Sequence, residues 1–244
     1  MHEGVATIEF YHPSHNSLPS QLLQSLVQAI QHADADENVK IIVLKSAGEK
    51  TFCAGASFDE LVAIENFPEG KNFFMGFANV INACRKCSKI ILGRIQGKAV
   101  GGGVGLAAAT DYCMATKYAS VKLSELAVGI GPFVVGPAIE RKMGLSAMSK
   151  LALNATEWQT ADWAKEKGLF HEVFENTNQL DEYIAYFVKI LLNSSTLALG
   201  ELKKIFWQGT EHWDQLLEER AGISGNLILT DHAKNAIHQF KNKA

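Results

Sequence analysis

Gln96-Gly97-Lys98-Ala99-Val100-Gly101-Gly102-Gly103-Val104-Gly105-Leu106 is the stretch on which the architecture of this chain turns. Ahead of it, Ile90-Ile91-Leu92-Gly93-Arg94-Ile95 reads as a buried strand. Behind it, Leu106-Ala107-Ala108-Ala109-Thr110 reads as helix. A glycine-rich turn between a strand and a helix leaves N–H groups unpaired at the helix N-terminus, where bound or developing anions are stabilised. Taken alone, the run is equally a tight turn that allows close packing. It is not a nucleotide P-loop, because Gly97-Lys98 is followed by Ala99 rather than Ser or Thr. Its glycines also miss the dinucleotide-binding spacing.

Composition narrows the field. The chain has 244 residues, 47% hydrophobic and 20% charged, an ordinary globular mixture with enough apolar material for one large domain. A net charge of −3 offers no electrostatic footprint for nucleic acid. Apolar runs are short and broken by charge, so no membrane span is expected. The start, Met1-His2-Glu3-Gly4, runs straight into a strand pattern and lacks the parts of a signal peptide, which points to a cytoplasmic protein. Four cysteines are too few for a disulfide framework at this size, and Cys84-Arg85-Lys86-Cys87 is a CxxC without a second pair. The histidines form no HxxxH or HExxH pair, and no metal is expected.

Strands alternate with helices through the first half. Strands are expected at 5–11, 40–45, 90–95, 112–115 and 120–123, and helices at 17–35 and 69–87 from their three- and four-residue apolar spacing. The second half reads as mainly helical: 136–143, 146–153, 160–167, 180–193, 198–208, 212–223 and 231–241, with one strand at 171–174. No linker divides the chain, so the reading is an α/β core over 1–190 followed by a helical region over 191–244.

Chemistry has three candidate seats. The loop Thr51-Phe52-Cys53-Ala54-Gly55-Ala56-Ser57-Phe58 follows the strand at 40–45, as the glycine-rich loop follows the strand at 90–95. Loops from different strands can converge at one sheet edge, each supplying an N–H to the same oxygen. Such an oxyanion donor is commonly worth on the order of 3 kcal/mol of transition-state stabilisation. Third, Glu125 sits between an apolar strand and Ala127-Val128-Gly129-Ile130-Gly131-Pro132-Phe133. Burial among such neighbours raises a carboxyl toward the range useful for acid–base work. Asp111 and His171 read as structural, and Ser57 and Ser124 have no histidine–acid arrangement around them. Trp158, Trp163, Trp207 and Trp213 fall in the helical half and read as packing residues.

Phe52-Cys53-Ala54-Gly55-Ala56, then Gly101-Gly102-Gly103-Val104-Gly105-Leu106-Ala107 with Asp111, then Ser124-Glu125 with Gly129-Ile130 and Pro132, resemble the enoyl-CoA hydratase/isomerase (crotonase) superfamily. Asn16-Ser17-Leu18 and Ala161, Lys165, Gly168 and Leu169 extend the resemblance over nearly the whole chain. It implies a spiral of ββα units, a helical C-terminal trimerisation region, and a homotrimer or dimer of trimers. It implies an acyl-CoA thioester as substrate, with coenzyme A carried by the substrate and no separate cofactor. By position, the N–H groups of Ala56 and Gly102 match the oxyanion donors and Glu125 matches the catalytic acid. The resemblance places Ala54, Gly55, Gly101, Gly105, Pro132, Phe133, Phe240 and Lys243 at the substrate and CoA, with 66–77 and 132–139 as acyl-pocket walls.

The chain departs from the family's two-glutamate pattern at Gly105, where a first glutamate would stand, and has Ser57 where an acid is usual. A one-carboxylate site follows. The Gly-Val-Gly-Leu context resembles a branch hydrating branched or carboxylated enoyl-CoAs in leucine or isoprenoid breakdown, methylglutaconyl-CoA hydratase-like proteins being its model. Hydration is the leading expectation, and shift of a 3,4 double bond to the 2,3 position by the same glutamate is the alternative. A non-catalytic acyl-CoA-binding protein is a third.

Overall fold

The computed structural model describes the backbone of residues 4–241 and the side chains up to residue 239. The chain opens with β1 (Val5–Phe10) and α1 (Ser20–Ala35). Three ββα turns follow. The first is β2 (Ile41–Ser46), β3 (Thr51–Cys53), α2 (Phe58–Val62) and α3 (Phe67–Lys86). The second is β4 (Ile90–Ile95), β5 (Lys98–Val100) and α4 (Gly102–Ala108). The third is β6 (Tyr112–Thr116), β7 (Ser120–Lys122), a 3₁₀ turn (Glu125–Val128) and α5 (Gly136–Leu153). Then come β8 (Gln159–Thr160), α6 (Ala161–Glu166) and β9 (Glu172–Phe174). Helices α7 (Thr177–Leu192), α8 (Thr196–Phe206), α9 (Trp213–Leu227) and α10 (Asp231–Lys241) complete the chain.

Each ββα turn lays one strand in each of two sheets. The larger sheet is parallel throughout, in the order β1-β2-β4-β6-β9, and the smaller runs β3-β5-β7-β8 with only β8 antiparallel. The unbroken apolar runs of β2 and β4 are explained by burial on both faces, as parallel sheets require. Ile41, Val43, Ile90 and Leu92 face Leu180, Ile184 and Val188 of α7, while Ile42, Leu44 and Ile91 face the main core.

The expected long elements are present with small boundary shifts. The short strands β3, β5 and β8 carry too few residues to show a period, and the sequence reading missed them. The glycine-rich run is accordingly corrected. It does not join the strand at 90–95 directly to a helix, because β5 intervenes; α4 begins at Gly102 and includes the expected helical residues Leu106–Ala108. α5 contains the two helices expected at 136–143 and 146–153, meeting at Gly144 (φ 77°, ψ 161°).

The C-terminal helices pack back on their own core. α9 crosses α3 so closely that a Cβ on Gly70 would lie 3.0 Å from Gly225 Cα. α10 passes the 3₁₀ turn, where a Cβ on Gly129 would meet Ala233 Cα at 2.7 Å. Among the described residues, no single helix is long and apolar enough to cross a membrane.

Candidate active site

The three candidate loops share one edge because their strands are neighbours. β3, β5 and β7 run side by side and parallel, Thr51 opposite Lys98 and Val100 opposite Lys122, so their carboxyl ends open on the same side. β3 delivers Ala54-Gly55-Ala56, β5 delivers Gly101 and the first turn of α4, and β7 delivers Ser124 and Glu125. All of these residues except those inside α4 beyond Gly102 line one cavity of about 270 Å³.

The first loop is held from the N-terminal side. Leu18 N–H donates to Gly55 O at 2.8 Å, and Ala54 N–H donates to His15 O at 3.2 Å. The buried Asn16 amide donates to Ala47 O and Thr51 O at 2.8 and 3.0 Å and accepts from His12 N–H at 3.0 Å. This network keeps His15 and Asn16 in the left-handed region (φ 54° and 56°), which is sparsely populated by residues other than glycine. Downstream, Ser57 caps α2 and the Glu60 carboxylate accepts from Ser20 N–H and Oγ at 2.9 and 2.7 Å, tying α2 to α1.

The second loop turns at Gly101, whose φ of +51° favours glycine and whose N–H donates to Lys122 O at 2.8 Å. The same glycine lets the acid come close: a Cβ there would sit 2.9 Å from Glu125 Oε1. Gly102 opens α4, so its N–H has no acceptor within that helix. Among the described residues, neither the Ala56 nor the Gly102 N–H donates to a protein acceptor.

Glu125 begins the 3₁₀ turn, and its Oε2 is shut off from solvent without a hydrogen-bond partner. Burial drives its carboxyl up to about 7, opposed weakly by a bond from its own backbone N–H. The acid is therefore divided between protonated and charged forms near neutrality, as a group that takes and returns a proton requires. Among the described residues it is the only carboxylate lining the cavity.

The remaining expected residues divide clearly. Ala54, Gly55, Gly101, Pro132 and Phe133 line the cavity, together with Phe74, Phe77, Val134 and Val135 from the expected walls. Gly105 does not: a Cβ there would meet Val135 Cγ1 at 2.5 Å, so Val135 stands between it and the cavity. Lys243 lies outside the described residues, as does the side chain of Phe240. Sequence reasoning missed Phe58, Val100, Lys122 and Ser224. Lys122 was findable from strand alternation beside Val121, whereas Ser224 arrives from α9 by a tertiary crossing that no local pattern announces.

The structural readings of other polar residues are also resolved. The buried Asp111 carboxylate accepts from Ile91 N–H, Lys203 Nζ and Trp207 Nε1 at 2.8, 2.7 and 2.8 Å, fastening α8 to the sheet. His171 stacks on Tyr112 at 4.2 Å and accepts from Cys113 N–H; burial and Lys142 lower its pKa to about 4, so it is neutral. Burial pushes the Cys84 and Cys87 thiols up to about 12, far from thiolate reactivity. Among the described residues, no group of three or more His, Cys, Asp or Glu side chains is placed to hold a metal ion.

Comparison with known proteins gives this geometry its context. The model of the enoyl-CoA hydratase/isomerase family matches residues 1–244. The chain is 27% identical to a short-chain-enoyl-CoA hydratase of Clostridium acetobutylicum, over 93% of this chain and 87% of that one. It is 26% identical to the peroxisomal Delta(3,5)-Delta(2,4)-dienoyl-CoA isomerase of Arabidopsis thaliana, over 92% and 85%. A crystal structure of an enoyl-CoA hydratase from Mycobacterium avium superposes with a TM-score of 0.88 at 26% identity, covering 99% of this chain and 92% of that chain. A two-sheet spiral with three loops gathered at one edge, matched by its family model from end to end, places this chain in the enoyl-CoA hydratase/isomerase family of the crotonase superfamily.

Proposed function

We propose that the chain shifts the double bond of a 3-enoyl-CoA thioester to the 2,3 position, with Glu125 as its single proton carrier. Ala56 and Gly102 N–H receive the thioester oxygen. Charged Glu125 takes a proton from C2, the electron pair moves into the carbonyl, and the resulting enolate oxygen is held by the two amides. As the enolate collapses, the new double bond forms between C2 and C3, and C4 takes the proton back from Glu125. Atoms balance and mass is unchanged.

The observation that carries this reading is the occupation of the second acid's place. Val135 fills the space beside Gly105, so among the described residues the cavity presents one carboxylate, Glu125. Carrying one proton between two carbons of one substrate needs a single acid. Hydration by the same site is the second reading, favoured by the unpartnered Glu125 Oε2, which can accept a hydrogen bond from an attacking water. Supplying 2-enoyl and 3-enoyl thioesters separately and following product mass decides between them: a gain of water marks hydration, an unchanged mass marks isomerisation. No turnover of either, with no deuterium exchange at C2 of a saturated thioester, overturns both.

The chain is further proposed to act as a homotrimer or a dimer of trimers. Leu197 and Ile205 of α8 and Tyr186 of α7 are strongly exposed apolar side chains that a subunit contact would cover. Sedimentation measures the mass directly.

A further inference from the structure

Among the described residues, Lys122 is the only basic one lining the cavity that holds Glu125. It lies on β7, opposite Val100 and three residues before Glu125. Its ammonium lies 4.6 Å from the centre of the Trp158 ring. Lys98, from the neighbouring strand β5, reaches the same ring at 5.1 Å. Trp158 itself is 39% exposed, so the pair sits toward solvent.

Two cations gathered on one indole repel each other, and a cation–π contact offsets little of that at a partly exposed site. Burial and Lys98 together lower the pKa of Lys122. Neither ammonium forms an ion pair with a described carboxylate, although ten other pairs are formed in the structure. Two like charges are thus held together beside the cavity, with no described carboxylate paired to either. Addition of an anion would relieve the repulsion.

We infer that Lys122, supported by Lys98 and seated on Trp158, is a binding residue for an anionic group carried by the thioester away from its reacting carbons. The inference deepens the thioester reading above and rests on it. The anionic group has two sources with the same chemistry, a phosphate of the coenzyme A portion or a carboxylate on the acyl portion.

Calorimetric titration with ligands that do not turn over separates them. Butyryl-CoA, butyryl-pantetheine (no phosphate) and glutaryl-CoA (an added carboxylate) are each titrated into the wild type, Lys122→Gln, Lys98→Gln, the double variant and Lys122→Arg. Lys122→Gln is expected to weaken binding of the relevant anion roughly tenfold, as loss of a charge-assisted contact does. Lys122→Arg is expected to restore most of it, and added salt is expected to shrink the difference. A loss with butyryl-CoA that disappears with butyryl-pantetheine assigns the phosphate. A loss confined to glutaryl-CoA assigns the carboxylate. Unchanged affinity of the double variant for all three, with normal wild-type binding, overturns this inference and leaves the thioester reading standing. Failure of the wild type to bind any of them overturns both.

Discussion

Val135 stands where the side chain of residue 105 would go: its Cγ1 would lie 2.5 Å from a Cβ on Gly105. The glycine and the valine are one arrangement, an apolar contact that leaves no room for a side chain at 105. A Glu at 105 cannot be added without moving α5's first turn or shrinking Val135. Gly105→Glu alone is expected to destabilise by about 1–3 kcal/mol through overpacking. Gly105→Glu with Val135→Gly is expected to recover part of that and to raise the ratio of hydration to isomerisation. Denaturant melts and product mass on one set of proteins check both statements.

Removing the acid tests the chemistry. Glu125→Gln keeps shape and loses the carboxylate proposed to carry the proton, so turnover is expected to fall by about 10²–10⁴. Deuterium exchange at C2 of a saturated thioester is expected to fall with it. Retention of full exchange in Glu125→Gln sinks the assignment of the proton carrier.

The activity of the wild type is expected to rise with pH through about 7, because abstraction needs the carboxylate and burial places its titration there. The limb should be absent from the residual rate of Glu125→Gln. A pH profile of kcat/KM reads the free enzyme's value directly.

The same burial has a stability signature of opposite sign. The folded pKa is raised from 4.5 to about 7, so the folded protein holds this proton more tightly than the unfolded chain. The favourable contribution is full below about pH 4.5 and is lost as pH rises through 7. Glu125→Gln does not titrate and keeps its stability. It is therefore expected to be more stable than the wild type at pH 8, by on the order of 3 kcal/mol, with the difference shrinking toward pH 5. Equal melting differences at both pH values contradict this.

Asp111 and Lys203 form a pair almost wholly removed from water, 2.7 Å apart. Deleting one partner leaves a buried charge uncompensated, so Lys203→Met or Asp111→Asn is expected to cost about 3–5 kcal/mol in chemical unfolding. Asp111 also accepts from Trp207 Nε1, so loosening of α8 should appear as a change in indole fluorescence before the main transition.

Much of the fold was legible because its larger elements carry their own period. β4 was read at its observed limits, Ile90–Ile95, and the stripe Phe73, Phe77, Val80, Ile81, Cys84 marked the buried face of α3. Strands of two or three residues cannot establish an alternation, which is why β3, β5 and β8 escaped. Among the candidate site residues, Ala56 and Gly102 were reached through the family resemblance, and Glu125 also through its apolar surroundings. Val135 and Gly105 were each visible, but their contact was not, since it joins α4 to α5 across thirty positions of chain.

By itself, the sequence determined which segments become long strands and helices, the family, and the residue types on offer at the site, because periodicity, glycine and spacing act locally. Only the tertiary structure decided that three short parallel strands open their loops on one cavity, that Oε2 of Glu125 is sealed from water, and that a valine fills the space beside Gly105. Those are properties of distances between remote segments, and desolvation and steric exclusion exist only once such segments are packed together.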